Sequence, residues 1–600
     1  MKKISKFTLA GIFSILLFLS GCDFLDSVAS LSYSNSGYIV SASGSKEESY
    51  SSSSSPNIIE VPARTATVKI SNLPSGKTLW LSKTNPTETL ISSKYTRYVN
   101  SGSGISLKTG NVSESSTTNI FNWLSGNHTA SPCVSVSLNR KFNENMRSAL
   151  SSARTVSITE PSKTVTQITP EVDTTRKKIY VDTNSSMSTY APKNATLRAV
   201  GTYCYVWVID DNGKYWTNSS SLSENGQQIN SAIAKSIADN FDKLYPMVRT
   251  VFGEESDDMI VQSSNGSLNV VENAVNAYSD TGSMVNIVVY DIANDYSASQ
   301  TGGTVGYFYA KDYYYNYNYS AAAFSNAGKY FYIDAYFTAN STAMVYSTLA
   351  HEFQHMIDFG VKTLATNGNL SSGAWYNEMK SMLCEDIMNK YLVDNNDDFT
   401  TEDGPFDRLP MFCRHYYDTG LEWRDNDDYN LYYSYANNYA FGAWAARNYG
   451  GILFINKIAS NNSVDIVSIE AASGSSITEM LKNYTAACLL DSSGYGFNKE
   501  LSQTSLVSNG YNYPMLAVDL WDLREILPEF YQIHNQQVPN GISTYYSVVG
   551  PVYFGYNSQQ DLRPYGFTLS KIGVANSTVV TLNFNTTDID DAQKTYIIIE

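Results

Sequence analysis

Between Met344 and Phe359 the chain carries neither glycine nor proline, and Val345, Leu349, Met356 and Phe359 supply apolar positions. The stretch predicts a buried helix. Residues four apart share one face of a helix, so His351 and His355 present their imidazoles to a common point while Glu352 projects beside them. Two neutral ring nitrogens suit a borderline ion such as Zn2+, and an adjacent carboxylate can take a proton from a water that the ion acidifies. With 5 histidines and 57 acidic residues in 600, composition predicts on the order of 0.004 chance occurrences of this pattern.

A catalytic zinc needs a third protein ligand and a position left open for solvent. The text Trp375-Tyr376-Asn377-Glu378-Met379-Lys380-Ser381-Met382-Leu383-Cys384-Glu385-Asp386 can begin a second helix after Gly373, with Glu378 and Glu385 on one face of it. Here the chain resembles the gluzincins, whose third ligand is the glutamate of an Asn-Glu pair on the helix following the zinc helix. The resemblance implies that Glu378 is the third ligand and that Glu385 orients a histidine from behind, or serves as ligand in reserve. A departure falls at Met382, where thermolysin-like enzymes carry an aspartate, so the surroundings of the ligands must be built differently.

Within the gluzincins, Ala350-His351-Glu352-Phe353-Gln354-His355 and Trp375-Tyr376-Asn377-Glu378 resemble the pattern of the hyicolysin-type family, over a span from about Leu197 to Gly510. That resemblance implies a zinc metallopeptidase with one catalytic ion, a protein or peptide substrate, and Glu352 as general base. A rival of another class is an inactive peptidase-like surface adhesin or host-binding lipoprotein. Gluzincin aminopeptidases also place a tyrosine of a Tyr-x-x-Gly motif as donor to the oxyanion, and Tyr439 with Gly442 is similar in pattern and distance. Tyr435 stands next in line, and His415 would be the thermolysin-like alternative. His128 reads as a solvated loop residue, and His534 falls in a β region.

The ends of the chain carry different signals. Lys2, Lys3 and Lys6 precede an apolar run from Phe7 to Leu19, which stops at Leu19-Ser20-Gly21-Cys22. This resembles the lipobox of bacterial lipoproteins, implying a signal peptide over 1–22, acylation of Cys22, and a protein held to the cell envelope or cell surface by lipid. No later run approaches the ~20 apolar residues of a membrane helix. A Ser-rich stretch over 23–62 reads as a tether. Period-two runs such as Ala66-Thr67-Val68-Lys69-Ile70 predict a β-sandwich-like domain over 63–195, and similar runs predict a C-terminal β domain over 511–600.

Between them, helix and strand patterns over 196–510 predict an α+β catalytic domain, of zincin (gluzincin, thermolysin-like) type on the resemblance. The strand Lys329 to Asp334 is expected to be the sheet edge that pairs with an extended peptide. Acidic loops at Asp394 to Asp398 and Asp425 to Asp428 offer oxygen ligands to Ca2+, though solvated turns explain them as well. A formal charge of −16 argues against a nucleic-acid partner. Besides Cys22 there are Cys133, Cys204, Cys384, Cys413 and Cys488, an odd number whose default is a set of free buried thiols.

Overall fold

The computed structural model describes residues 38–54, 57–108, 165–262, 268–297, 303–315, 322–422, 428–490, 510–528 and 550–600. The apolar leader with Cys22, and likewise His128, Cys133, His534 and the turn from Asp425 to Asp427, lie outside the described residues.

A six-stranded sheet forms the floor of the central region. Its strands are β1 (Arg176–Asp182), β2 (Tyr190–Val200), β3 (Cys204–Ile209), β4 (Val285–Tyr290), β5 (Gly306–Phe308) and β6 (Lys329–Asp334), in the order β5-β6-β4-β3-β2-β1. β3, β4 and β6 run parallel, and each is buried along its whole length, as strands covered on both faces must be. Helix α1 (Ser231–Phe252) follows β3 and packs against β2 and β3. Its start is set by Asn230, whose side chain accepts from the backbone N–H groups of Ala232 and Ile233.

β6 is an interior strand, not the expected edge. The edge is β5, three residues antiparallel to β6. It arises inside a Gly- and Tyr-rich stretch that reads as too polar for core and too aromatic for a plain linker. Gly306 is required there, because a Cβ at this position would lie 2.6 Å from Thr348 Cγ2 on the next helix.

Past β6 a short helical segment, Ala335–Asn340, leads into α2 (Thr342–Asp358), which carries both histidines. A π-helical turn over Phe359–Leu364 then reverses the chain into α3 (Ala374–Asn395). After α4 (Leu409–His415) comes α5 (Asp428–Asn448), which packs on α3. Gly442 permits this approach, since a Cβ there would meet Met379 Cγ at 2.7 Å. Among the described residues no helix is long and apolar enough to cross a membrane.

The outer β segments are joined, which corrects the expected boundaries. Thr78–Thr84 pairs with both Phe567–Ala575 and Lys594–Ile599, and Thr65–Ser71 pairs with Val580–Phe584. The 63–195 and 511–600 regions thus share two sheets, whose facing side chains include Val68, Ile70, Leu79, Leu81, Leu582 and Ile597. β1 and β2 belong instead to the central sheet, and Met515, Leu520 and Leu523 pack into the helical core.

The Ser-rich tether also ends earlier than expected. Gly44–Ser49 runs parallel to Thr65–Ser71, and Asn57–Glu60 pairs with Lys594–Ile599. An edge strand can rely on backbone hydrogen bonds with little burial, and Gly44–Ser49 is largely exposed.

Truncation after Gly550 removes both neighbours of Thr78–Thr84. Limited proteolysis is expected to cut rapidly within residues 38–108 of the truncated protein under conditions that spare the full chain. A resistant N-terminal fragment would show instead that these strands fold alone.

Candidate metal centre

α2 and α3 lie side by side, and the donors come from their contact. His351 and His355 project from one face of α2 with ring centroids 4.8 Å apart. Glu378, in the second turn of α3, reaches between them: its Oε2 is 3.1 Å from His351 Nε2 and its Oε1 is 3.4 Å from His355 Nε2. One donor atom from each of the three residues lies within 4.8 Å of the others, and all three residues are buried.

Among the described residues, neither Glu378 Oε1 nor Glu352 Oε2 has a hydrogen-bond donor. Buried carboxylate oxygens without partners are costly. Two imidazole nitrogens and a carboxylate around one point form a donor set that a divalent, borderline ion would satisfy.

The side chains behind the donors orient them. Glu385 Oε1 lies 2.6 Å from His351 Nδ1, which keeps a proton on that nitrogen and turns Nε2 toward Glu378. Ser347 Oγ donates to the other Glu385 oxygen. Position 382, where a thermolysin-like chain has its aspartate, is a buried methionine. The orienting carboxylate enters from one turn further along α3. Ser381, three residues after Glu378, brings its hydroxyl to 3.1 Å from His355 Nδ1. Sequence reasoning passed over it, although its spacing from Glu378 already put it on the same helix face.

Charge follows from this packing. Burial disfavours the His351 cation, but Glu378 and Glu385 more than offset this and raise its pKa to about 10 in the metal-free protein. Glu378 is opposed by burial and favoured by His355 and His351, which together hold it down at about 2. Burial chiefly pushes the Glu352 carboxyl up, opposed by the two histidines, while the backbone N–H of Phe308 in β5 donates to it.

A cleft opens beside His351 and Glu352. β5 contributes Gly306 to its lining, and α5 contributes Tyr432 and Tyr435.

No protein-family model matches the chain. A curated relative does. Over 161 residues the chain is 33% identical to the neutral metalloprotease ShpI of Staphylococcus hyicus, an overlap covering 25% of this chain and 30% of that protein. The chain thus spans under a third of the relative's length. The similarity supports a metalloprotease relationship, and with the donor set it points to a metal.

Tyr439 does not face the cleft. Its hydroxyl donates to Asp386 at 3.2 Å, and the residue is fully buried. The Tyr439-x-x-Gly442 pattern therefore reflects the packing of α5 on α3, and Tyr435, one turn earlier, lines the opening together with Tyr432. His415 is turned elsewhere, bonded to Asp418 at 2.9 Å and stacked on Tyr433. Among the described residues, 394–398 brings no three carboxylates together. Asp291, Asp295 and Asp334 do converge, but Lys214 already pairs with Asp291 and backbone N–H groups bind Asp334.

Because metal-free His351 is protonated below about pH 10, an ion must displace that proton to bind. Affinity is expected to fall as pH falls, by about tenfold per unit between pH 8 and 6 for one proton released. Chelator competition at several pH values measures this, and a flat profile would contradict it.

Proposed function

We propose that the central region is a zinc-dependent metalloendopeptidase of gluzincin type, with His351, His355 and Glu378 holding the ion. The observation carrying this reading is the convergence of three buried donors from α2 and α3, one of which, His351, lines an open cleft together with Glu352. When bound, zinc supplies a Lewis acid that acidifies a water and polarises a carbonyl.

Glu352 takes the proton of the attacking water and delivers it to the nitrogen of the leaving amine. Its pKa, raised by burial, suits a group that must both accept and release a proton. Glu385 keeps its proton partner on His351 Nδ1 throughout, so the ligand nitrogen stays directed inward. Tyr435 is the donor to the developing oxyanion. β5, the last strand of the sheet beside the cleft, offers its backbone to an extended peptide, and the Phe308 N–H holds Glu352 against that strand. The Cys22 context supports a lipid-anchored location at the cell envelope, outside the cytoplasm.

Glu352→Gln is expected to retain about one zinc per chain and to lose roughly 10³-fold or more in turnover of a protein substrate. Metal analysis with a cleavage assay tests it; parental activity would remove Glu352 from its role. Tyr435→Phe is expected to lower kcat by roughly 10² with little change in KM, while Tyr439→Phe leaves kcat within a few-fold. The reverse ranking would return the donor role to Tyr439.

A further inference from the structure

β5 passes both sides of the metal centre. Successive residues of a strand alternate between faces, so Gly306 and Phe308 share the face toward α2, while the Tyr307 hydroxyl meets that of Tyr290 on the other. Gly306 lines the cleft beside His351 and Glu352. Phe308 lines a second hollow, together with His355 and Asn377. Strand residues two apart lie roughly 7 Å from each other. A peptide laid along β5 with its reacting bond at the metal therefore runs from one hollow into the other.

Asn377 stands in the first turn of α3, one residue before Glu378. Its Oδ1 is buried and has no hydrogen-bond partner among the described residues. A buried amide oxygen left unpaired is destabilising, so such an atom in a native fold calls for a partner from outside the chain. The charges lining the same hollow are already balanced: Asp358 pairs with Lys380, which also donates to Ser372 Oγ. What Asn377 offers there is neutral, an acceptor and a donor on one planar carboxamide. A backbone peptide unit, with one N–H and one C=O, is its complement.

We propose that Asn377 binds the substrate backbone, its carboxamide pairing with a peptide unit on the His355 side of the metal and its Oδ1 accepting that unit's N–H. The inference rests on the peptidase reading above, and it requires a substrate that extends past the metal on that side.

The test is calorimetry of the zinc-loaded Glu352→Gln variant with a peptide that the parent cleaves and with a series of its analogues. Each analogue has one backbone amide replaced by an ester, which lacks the N–H. At one position the ester is expected to bind about tenfold more weakly, and adding Asn377→Ala is expected to shrink that penalty to within about twofold, while penalties arising at β5 persist. In the otherwise parental protein, Asn377→Ala is expected to raise KM about tenfold with a smaller fall in kcat. Asn377→Leu keeps the shape of the side chain without its polar atoms and takes the place of the alanine variant if that one does not fold. Ester penalties that are the same with and without the Asn377 carboxamide, or no penalty at any position, overturn this inference alone. A zinc-loaded parent that cleaves no peptide overturns the peptidase reading, and the role of Asn377 with it.

Discussion

Lys380 and Asp358 meet in the protein interior, and their ion pair joins the second turn of α3 to the end of α2. Two turns along α3, Asp386 pairs with Arg447 of α5, whose guanidinium also donates to the backbone carbonyl of Leu516. α3 is thereby pinned at two points, with Ser381 and Glu385 between them and Glu378 just before. A helix turns about 100° per residue, so a slip of one position would carry Glu378 away from both imidazoles. Buried ion pairs add little net stability compared with apolar packing, yet removing one partner costs about 3–5 kcal/mol. Their value here is in setting register.

The same need explains why α3 carries so many charged groups while being buried on nearly every side. Glu378, Lys380, Glu385 and Asp386 are all at most 5% exposed, and each has an opposite or hydrogen-bonding partner on another element. In a low-dielectric interior such groups persist only when they satisfy one another. Within this set Glu378 Oε1 has no hydrogen-bond partner among the described residues, and Glu378 is one of the three residues whose donor atoms converge.

Much of the centre was legible in the sequence because helical spacing is a local property. His351 and His355 are four apart, and Glu378 and Glu385 are seven apart, so their sharing of faces follows from helix geometry alone. What escaped depended on contacts between distant segments. Tyr435 and Tyr439 also share a face of α5, and only the depth of α3 against that helix decides which one reaches the cleft. β5 has three residues, too few for alternation to reveal, and it displaced β6 from the edge. For the outer β segments, alternation marks a strand but says nothing about its partner, and pairings between opposite ends of the chain have no local signature.

Those pairings set the order of events during biosynthesis. Thr67 and Asn583 meet across 516 positions, and at roughly 5–20 residues per second the interval between their emergence from the ribosome is about half a minute or longer. Throughout that time Val68, Ile70, Leu79 and Leu81 lack the surface that later covers them. The neighbouring Gly44–Ser49 segment carries Lys46, Glu47 and Glu48, charges of the kind that keep an unfinished strand from joining another nascent chain. The strand Lys594–Ile599 acts as a clasp: the sandwich closes only once that strand has been made.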